Sequence, residues 1–372
     1  MQFIDLHAQQ TRLRAEIDAG IAAVLAHGRY ILGPEVAQFE TELARFADAR
    51  HAVSCANGTD AISLPLMAWG VGPGDAVFCP SFTYCATAEV VALLGATPVF
   101  VDIERDTYNM SADSLAAAIH AVRTEGKLTP RAVIAVDLFG QCADYPAIAP
   151  IVREAGLHFI ADSAQGFGAT LHGHHPLHWT DVQTTSFFPA KPLGAYGDGG
   201  ATLTNDAALD AKLRSLRFHG RGEAPYDSDH IGINSRLDTM QAAILLPKLA
   251  VFADEIEARN RVAARYRDGL GNVVSRVPDV IEGGTSTWAQ YTIEVPDPAA
   301  FCAAMTEAGI PTARYYPLPT HRHSAYRDFP VAPTGLPATQ TASERVVSLP
   351  MHAYLSPSDQ DRIMDAAQNA LR

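Results

Sequence analysis

The sequence predicts an α/β protein: a large domain with a mainly parallel sheet flanked by helices, followed by a smaller C-terminal α+β domain. Short apolar segments alternate with helical stretches through the first 250 residues, which is typical of a parallel sheet with helices on both faces. After Gly271 the pattern changes to a few strands mixed with helices. The 372 residues, 48% of them hydrophobic, are enough for two such units. We therefore place the domains at 1–250 and 251–372.

In the N-terminal part, apolar residues at helical spacing predict a first helix at 9–26 and a second at 35–46. Gly33 and Pro34 close the loop between them. The strands of the predicted sheet then follow in the segments HAVSC, DAVFCP, TPVFVD, AVIAVD and LHFIAD.

The C-terminal part opens with a long helical stretch at 237–270. Pro247 lies within it and predicts a kink or a break, because proline removes a helical hydrogen bond. Beyond this stretch we predict, in chain order, a loop at 283–286, a strand at 289–295, a helix at 299–308, a strand at 312–316, a loop at 330–337 and a final helix from residue 356.

Composition and charge argue against several classes of protein. The net charge of -13 would repel the phosphate backbone, so we expect no nucleic-acid binding. The first 13 residues contain no apolar segment of a secretory signal, and no apolar run is long enough to span a bilayer, so we expect no membrane partner. Five cysteines without a CxxC pair favour a cytoplasmic location.

Polar and aromatic residues collect where the predicted strands end. Ligands of open α/β sheets bind beyond the carboxyl ends of the strands, so this edge is expected to hold the functional site. The residues concerned are Asn57, Gly58, Thr59, Ser81, Thr83, Tyr84, Asp102, Asp137 and Asp162.

Lys191 is the first candidate catalytic residue. It lies in TTSFFPAKPLGAYGDGG, an apolar strand that ends in a turn rich in proline and glycine. Apolar surroundings lower the pKa of a lysine and favour the neutral amine that attacks a carbonyl group. The alternative is a lysine whose stem packs along a surface loop, and this stretch alone leaves both interpretations open.

Asp162 is the second candidate, and it ends the segment LHFIAD, 29 residues before Lys191. A fixed carboxylate keeps the ring nitrogen of pyridoxal phosphate (PLP) protonated, and the protonated ring acts as an electron sink. Taken alone, a helix N-cap or turn aspartate is the commoner role for such a residue. The lysine and the carboxylate together fit PLP chemistry.

Weaker signals accompany this pair. In CANGTDA, Gly58 lets the backbone approach a ligand at a helix start, and Thr59 and Ser186 offer hydroxyl groups to a phosphate. Tyr84 can stack on a pyridine ring, and Gln165 can hydrogen-bond the phenolic oxygen of the cofactor. Taken alone, an ordinary helix cap is the commoner role of the CANGTDA turn and core packing that of the tyrosine, and a surface position explains Gln165 equally well.

Together and in this order, these motifs resemble the DegT/DnrJ family of sugar aminotransferases, which are PLP enzymes of the aspartate-aminotransferase fold type I. The matching segments extend from Phe3 to His352 and include FIDLHAQQ, YILGPEV, CANGTDA, PSFTYCATAE, ADSAQGFGA, TSFFPAKPLGAYGDGGA, GINSRLDTMQAAIL, YYPLP and SLPMH. The resemblance implies a seven-stranded sheet in the large domain. It also implies PLP as the cofactor, with the pyridoxamine form as an intermediate.

The resemblance also implies a role for each motif residue. Lys191 would bind the cofactor covalently and move a proton, Asp162 would hold the ring nitrogen, and Gln165 the 3′-oxygen. Tyr84 would stack on the ring. The phosphate would be held by Gly58, Thr59, the backbone near Asp60, Ser186 and, from the neighbouring subunit, Asn234. A site shared in this way implies a homodimer.

The implied reaction moves an amino group from L-glutamate to a keto nucleotide-sugar. The motifs are most similar to those of UDP-2-acetamido-2-deoxy-3-oxo-glucuronate aminotransferases, which favours C3 of a UDP-2-acetamido-3-keto-hexuronate. Arg236, Arg314, Tyr315 and Tyr316 would line the substrate site, and the two arginines favour a sugar with a carboxylate. Tyr315 stands where such relatives tend to have histidine, so C4 of a dTDP- or UDP-4-keto-6-deoxy sugar remains the alternative.

Two other functions are weighed against this one. Some relatives are PLP-dependent sugar dehydratases with histidine in place of the lysine, and others are described as regulatory proteins. Lys191, Asp162 and Asn234 together argue against both. The product could serve lipopolysaccharide or other polysaccharide biosynthesis, or an antibiotic sugar. The family departures at Ala161 and Ser163 remove no group that does chemistry.

Two further groups of residues, one of histidines and one that is mainly of arginines, carry metal-ligating or charged side chains. The spacing of His172, His174, His175 and His178 allows a metal site, but the resemblance places this stretch in an exposed hairpin, and we expect no metal. Arg217, His219 and Arg221 could supply positive charge for a nucleotide diphosphate, with a solvated charged face as the alternative for the arginines.

Overall fold

The computed structural model describes residues 1–224 and 226–372, and a seven-stranded sheet forms its centre. The strands of the chain are β1 (His51–Cys55), β2 (Asp75–Pro80), β3 (Thr97–Val101), β4 (Thr129–Val136), β5 (His158–Asp162), β6 (Thr170–Leu171), β7 (Val182–Ser186), β8 (Gly200–Thr204), β9 (Gly284–Thr285), β10 (Tyr291–Glu294) and β11 (Val346–Leu349). The central sheet has the order β1–β8–β7–β5–β4–β2–β3, and all its neighbours are parallel except β8, which is antiparallel to β1 and β7. The prediction of a mainly parallel, seven-stranded sheet is confirmed.

Helices cover both faces of this sheet. The helices of the described residues are α1 (Leu6–Arg12), α2 (Arg14–His27), α3 (Pro34–Phe46), α4 (Gly58–Ala68), α5 (Ala86–Leu93), α6 (Ala112–Glu125), α7 (Tyr145–Glu154), α8 (Ala207–Leu216), α9 (Thr239–Ala250), α10 (Phe252–Leu270), α11 (Pro298–Glu307), α12 (Pro337–Arg345) and α13 (Pro357–Ala370), of which the later ones belong to the C-terminal part. Successive residues of a strand point to opposite faces. Accordingly, Val133 of β4 packs with Leu115 of α6, whereas the adjacent Ile134 packs with Ile62 of α4.

The first predicted helix differs from the structure in its continuity and in its start. The segment predicted as one helix at 9–26 is two, because Leu13 (φ −109°, ψ 16°) leaves the helical conformation and separates α1 from α2. α1 also begins earlier, at Leu6, where the Asp5 carboxylate accepts a hydrogen bond from the Ala8 N–H. The second helix is confirmed as α3, with Pro34 at its first position.

The long helical stretch breaks at a different residue from the one expected. Pro247 lies inside α9 without ending it, and the chain turns at Val251 (φ −106°, ψ 3°) before α10 begins. One face of α9 is buried in the core through Ala242, Ala243 and Leu245. The stabilisation from this packing outweighs the loss of the helical hydrogen bond that proline removes. The break coincides with the boundary that we place near residue 250, and the boundary itself stays a prediction.

The C-terminal part is built on a two-stranded antiparallel sheet of β10 and β11, packed with α10, α11 and α13. The strand at 289–295 and the helices at 299–308 and from 356 are present, with bounds of one or two residues' difference.

Three expectations for this part were wrong. Segment 312–316 is not a strand. Ala313 forms one isolated β-bridge to Ser348, and the residues after it run toward the edge of the central sheet. Pro337 does not end a loop but begins α12, where its missing N–H costs nothing. Segment 283–286 pairs β9 with β6 instead of forming a plain loop.

Within residues 1–224 and 226–372, no helix is both long enough and apolar enough to cross a membrane.

Candidate active site

A cavity of about 410 Å³ lies at the carboxyl edge of the central sheet, where the sequence predicted a site. It is bounded by the ends of the strands, by the start of α4 and by a segment that returns from the C-terminal part. Of the predicted site residues, it is lined by Gly58, Thr59, Tyr84, Asp162, Gln165, Ser186, Lys191, Tyr315 and Tyr316. The fold therefore brings together residues that are up to 258 positions apart, from Gly58 to Tyr316.

Lys191 is held by a tight turn after β7. Its N–H donates to the Phe188 carbonyl oxygen at 2.8 Å. Gly194 is required in this turn because a Cβ there would lie 2.4 Å from the Pro189 carbonyl oxygen. The buried Lys248 of α9 donates from Nζ to the Gly194 carbonyl oxygen at 2.6 Å, which anchors the turn to the core. The position of the lysine is thus fixed by its backbone.

The electrostatics of Lys191 favour a reactive amine. Burial lowers the pKa of Lys191, and the charge of Asp162 acts in the opposite direction without cancelling the effect. A lowered pKa increases the fraction of neutral amine, which is the nucleophile toward a carbonyl group.

Asp162 presents a buried carboxylate to the same cavity. Its side chain is held by the Thr87 hydroxyl, which donates to Oδ2 at 3.2 Å, and by the Ala164 N–H, which donates to Oδ1 at 3.1 Å. Burial raises the pKa of Asp162, while the Ala164 hydrogen bond and the charge of Lys191 oppose the shift. In the described part of the chain no cationic side chain forms a salt bridge with Asp162. A protonated ring nitrogen would supply the missing positive partner.

The start of α4 provides the predicted anion cradle. The first N–H groups of a helix have no partner within the helix, and those of Gly58 and Thr59 lie at the cavity. Ser186 is in such close contact that a Cβ on residue 58 would lie 2.6 Å from its Cβ, so the position requires glycine. The Asp60 N–H, by contrast, donates to the Asn57 Oδ1 at 2.8 Å, and Asp60 does not line the cavity.

Gln165 and the aromatic residues form one wall. The Gln165 Oε1 accepts from the Phe139 N–H at 2.8 Å, and its Nε2 donates to the Tyr316 hydroxyl at 3.1 Å. Tyr84 is 57% exposed, and its ring centroid lies 6.5 Å from that of Tyr316. Tyr84 therefore has room for a planar group against its face.

Besides Asp60, three predicted substrate or cofactor residues do not line this cavity within one chain. Arg314 donates to the carbonyl oxygens of Ser343 at 2.7 Å and Val346 at 3.4 Å, and so stabilises the C-terminal end of α12. Arg236 lies over the Phe218 ring at 4.9 Å. Asn234 is exposed near Phe218, with which it forms a bridge. Neither Asn234 nor Arg236 lines the cavity of its own chain, and their expected role in the site of a neighbouring chain stays a prediction.

Arg217 has a structural role, in contrast to the interpretation as nucleotide charge. Its guanidinium is buried and donates to Glu40 at 2.5 Å and to the Ser54 carbonyl oxygen at 2.7 Å. Burial alone would raise the pKa of Glu40, but Arg217 and Arg214 hold it below its usual value. His219 and Arg221 lie in the loop that follows α8 and do not line the active-site cavity.

The histidine stretch lies in the turn that follows β6. The His174 and His178 rings stack at 4.1 Å, and His175 packs against Phe46. Among the described residues, no group of three or more His, Cys, Asp or Glu side chains is placed to hold a metal ion.

Several cavity residues were missed in the sequence. Thr87 holds Asp162 by a hydrogen bond, and Gln290 and Asp198 line the cavity. Their local sequence does not indicate these roles, because only the fold brings them to the carboxyl edge of the sheet. Asn57, in contrast, was among the residues predicted at this edge, and it caps α4 by accepting from the Asp60 N–H.

The fold and the site define an enzyme of the PLP-dependent aminotransferase class: a parallel sheet that carries a lysine of lowered pKa, a buried carboxylate and a helix N-terminus around one cavity. The chain belongs to the DegT/DnrJ/EryC1/StrS aminotransferase family, whose match covers residues 11–368.

Relatives agree with this assignment over nearly the whole length. UDP-2-acetamido-2-deoxy-3-oxo-D-glucuronate aminotransferase of Pseudomonas aeruginosa is 48% identical over 357 residues, 95% of this chain and 96% of its own. A DegT DnrJ EryC1 StrS aminotransferase from Brucella abortus has a crystal structure with a TM-score of 0.98 and 52% identity, covering 100% of this chain and 99% of that one. NtdA of Bacillus subtilis, 27% identical with a TM-score of 0.84 over 96% of this chain and 81% of its own, was solved with bound pyridoxamine phosphate.

The predictions of the family, of the fold, of a PLP-dependent aminotransferase and of the cofactor are confirmed. The residues at the cavity fit the cofactor, because an anion cradle, a carboxylate and an amine surround a space large enough for it.

Proposed function

We propose that the protein transfers the amino group of L-glutamate to C3 of a UDP-2-acetamido-3-keto-hexuronate. The observation that carries the proposal is the placement of Lys191 and Asp162 on one cavity, in a chain that is 48% identical to an aminotransferase named for this kind of sugar. Glutamate, the hexuronate and the assembly described below all belong to the proposal.

The chain's own residues would hold the cofactor. The N–H groups of Gly58 and Thr59 and the Ser186 hydroxyl bind the phosphate, Asp162 pairs with the ring nitrogen, and Gln165 reaches the phenolic oxygen. When bound, PLP supplies an aldehyde that accepts an amino group and a ring that withdraws electrons from the neighbouring carbon.

Lys191 moves the proton. Its Nζ, whose pKa is lowered by burial, removes a proton from the carbon of the donor that bears nitrogen and later delivers one to the acceptor carbon. Tyr84 and Tyr316 line the cavity, and their rings would limit the access of water to the reacting atoms once the cofactor is bound. The same amine serves both half-reactions, which predicts ping-pong kinetics.

The site is completed by a second copy of the chain. Asn234 and Arg236 lie outside the cavity of their own chain, in a loop between α8 and α9. In the proposed homodimer, Asn234 of the partner subunit binds the cofactor phosphate and the partner subunit's Arg236 binds the carboxylate of the sugar. Arg314 no longer has a place in this proposal, since its guanidinium is used at α12.

C3 is favoured over C4 by the 48% identical relative, whose name specifies a 3-oxo sugar. Tyr315 and Tyr316 line the same cavity as Lys191 and would contact the sugar ring.

We place the enzyme in the cytoplasm because its five cysteines include no paired motif, and the product in the synthesis of a surface polysaccharide such as lipopolysaccharide.

The decisive experiment converts the holoenzyme to its pyridoxamine form with glutamate and then titrates it with keto nucleotide-sugars, following the absorption spectrum. The UDP-3-keto-hexuronate should restore the starting spectrum, and a dTDP-4-keto-6-deoxy sugar should do so at least about 100-fold more slowly, because it lacks the carboxylate that Arg236 binds. Restoration by the 4-keto sugar alone would move the reaction to C4. Loss of a sugar hydroxyl without amination would identify a dehydratase.

A further inference from the structure

A second buried carboxylate lies directly behind Asp162. Asp137 follows β4 and is fully buried. Its Oδ2 accepts from the Ser163 hydroxyl at 2.5 Å, and its Oδ1 accepts from the Tyr145 hydroxyl at 2.7 Å and the Ala143 N–H at 2.9 Å. Three donors converge on a side chain that touches neither the cavity nor solvent. The reaction described above assigns it no role.

These contacts hold the backbone that directly follows the Asp162 side chain. The Asp137 N–H donates to the Asp162 carbonyl oxygen at 2.9 Å, and the Ser163 hydroxyl also accepts from the Gln183 Nε2 at 3.1 Å. Gly166 closes the other end, because a Cβ there would lie 2.3 Å from the Cβ of Asp137. The turn that begins at residue 162 is therefore built around the Asp137 side chain.

We propose that Asp137 is a positioning residue that acts through Ser163 to hold the Asp162 carboxylate in place for the ring nitrogen of the cofactor. The proposal rests on the proposed function, in which Asp162 pairs with that nitrogen. It also gives a role to the Ser163 hydroxyl, which donates its hydrogen bond to Asp137.

The charge of Asp137 makes this arrangement sensitive to substitution. Burial raises the pKa of Asp137 to about 7, against the hydrogen bonds from Ser163 and Tyr145, and the neighbouring Asp162 raises it further. The other titratable groups that face it are Tyr145 and Cys142, whose own pKa values its charge raises. An asparagine at 137 has one acceptor oxygen and one donor amide, so it cannot accept from Ser163 and Tyr145 at separate oxygens.

The test compares the holoenzymes of Asp137→Asn, Ser163→Ala and the double variant. Ser163→Ala removes one hydroxyl from the buried network and serves even if Asp137→Asn fails to fold. The matched controls are Asp102→Asn, at a buried carboxylate that follows β3, and Ser114→Ala, at a buried hydroxyl in α6, and neither residue lines the cavity. Three quantities are measured: the single-turnover rate with glutamate, the pH midpoint of the bound cofactor's absorption change, and the melting temperature.

Ser163→Ala is expected to slow the glutamate half-reaction about tenfold, the effect of one hydrogen bond to a charged group, and to shift the pH midpoint of the spectrum. Asp137→Asn should give a similar shift. The double variant should be no slower than the slower of the two single variants, because both act along one path. The control variants should change the melting temperature and leave the rate and the midpoint within about twofold of the starting enzyme.

The proposal is overturned if Ser163→Ala changes only the melting temperature, as the controls do, or if the losses of the two single variants add in the double variant. The Asp162→Asn variant distinguishes a failure of the positioning role from a failure of the proposed function. If Asp162→Asn is slow and Ser163→Ala is normal, only the positioning role is lost. If Asp162→Asn itself reacts normally, the pairing with the ring nitrogen is wrong.

Discussion

At the scale of single residues, burial dominates the chemistry of the site. Lys191 and Asp162 carry opposite charges on one cavity and each favours the ionised form of the other. Even so, burial lowers the pKa of the lysine and raises that of the aspartic acid, so desolvation is the larger effect for both. A protonated ring nitrogen beside Asp162 would offset the free-energy cost of burying that carboxylate.

Replacement of the lysine tests its double role. We expect Lys191→Ala to abolish turnover, because it removes both the amine that binds the cofactor and the group that moves the proton, while non-covalent cofactor binding persists. Borohydride reduction followed by peptide mass analysis should label the starting enzyme at Lys191 and leave the variant unlabelled. Lys127→Ala, at a well-exposed position, is the control and should retain full activity. Normal turnover in Lys191→Ala would contradict the mechanism.

Asp162→Asn should keep the fold and slow the glutamate half-reaction roughly 100-fold or more, because a neutral amide cannot hold the proton on the ring nitrogen. The rate is measured by stopped-flow absorbance and the fold by circular dichroism. A variant with the starting rate would show that the carboxylate is not the ring-nitrogen partner.

The pKa of Asp137 predicts a pH dependence of stability. Its folded-state pKa of about 7 lies above the unfolded value near 3.9, so the folded protein binds more protons between these limits. The stabilisation from protonated Asp137 is therefore complete below about pH 4 and is lost as the pH rises through about 7. In Asp137→Asn this loss is absent, so the difference in unfolding free energy between the two proteins should shrink from pH 4 to 7. Denaturant unfolding at several pH values measures it, and a constant difference would contradict the shift.

At the scale of elements, a buried ion pair connects α3 to the central sheet. Glu40 of α3 accepts from Arg217 at 2.5 Å and from Arg214 at 2.7 Å, and Arg217 also donates to the Ser54 carbonyl oxygen of β1. Removing one member of a buried pair leaves the other charge without a partner. The contact therefore ties α3, β1 and the end of α8 together.

Glu40→Ala should lower the unfolding free energy by about 3–5 kcal/mol. Glu42→Ala lies on the same helix, where its pair with the exposed Arg45 is worth about 1 kcal/mol at most, and it provides the matched control. Denaturant unfolding of both variants compares them directly. An equal, small loss in both would mean that the buried pair does not hold α3 to the sheet.

Element boundaries were predicted well where local signals agree with packing. α3 begins at a proline and follows the apolar spacing, and its bounds are almost those predicted. At Pro247 the local signal for a break lost to the buried face of α9. α12 was missed because a segment rich in proline was interpreted as loop alone, although proline also begins helices.

At the scale of the whole molecule, the site is expected to depend on two chains. A mixture of Lys191→Ala and Asn234→Ala subunits contains mixed dimers in which one site lacks both groups and the other has both. Each variant alone should be nearly inactive, and refolding them together at equal amounts should restore about a quarter of the starting activity. The measurement is steady-state turnover before and after mixing, with two samples of the same variant as control. No recovery would place Asn234 outside the neighbour's site.

The sequence alone determined the chemistry of this protein: the order of strands and helices, the lysine in apolar surroundings, the aspartate at a strand end and the glycine at a helix start are local features, and each depends on a few neighbouring residues. Tertiary structure decided which distant groups meet them. Thr87 reaches Asp162, Tyr316 reaches Gln165, and Arg217 and Arg314 are drawn away to Glu40 and to α12. The reason is physical. A hydrogen bond or a buried ion pair depends on distance and solvent exclusion in three dimensions, and the spacing of residues along the chain determines neither quantity.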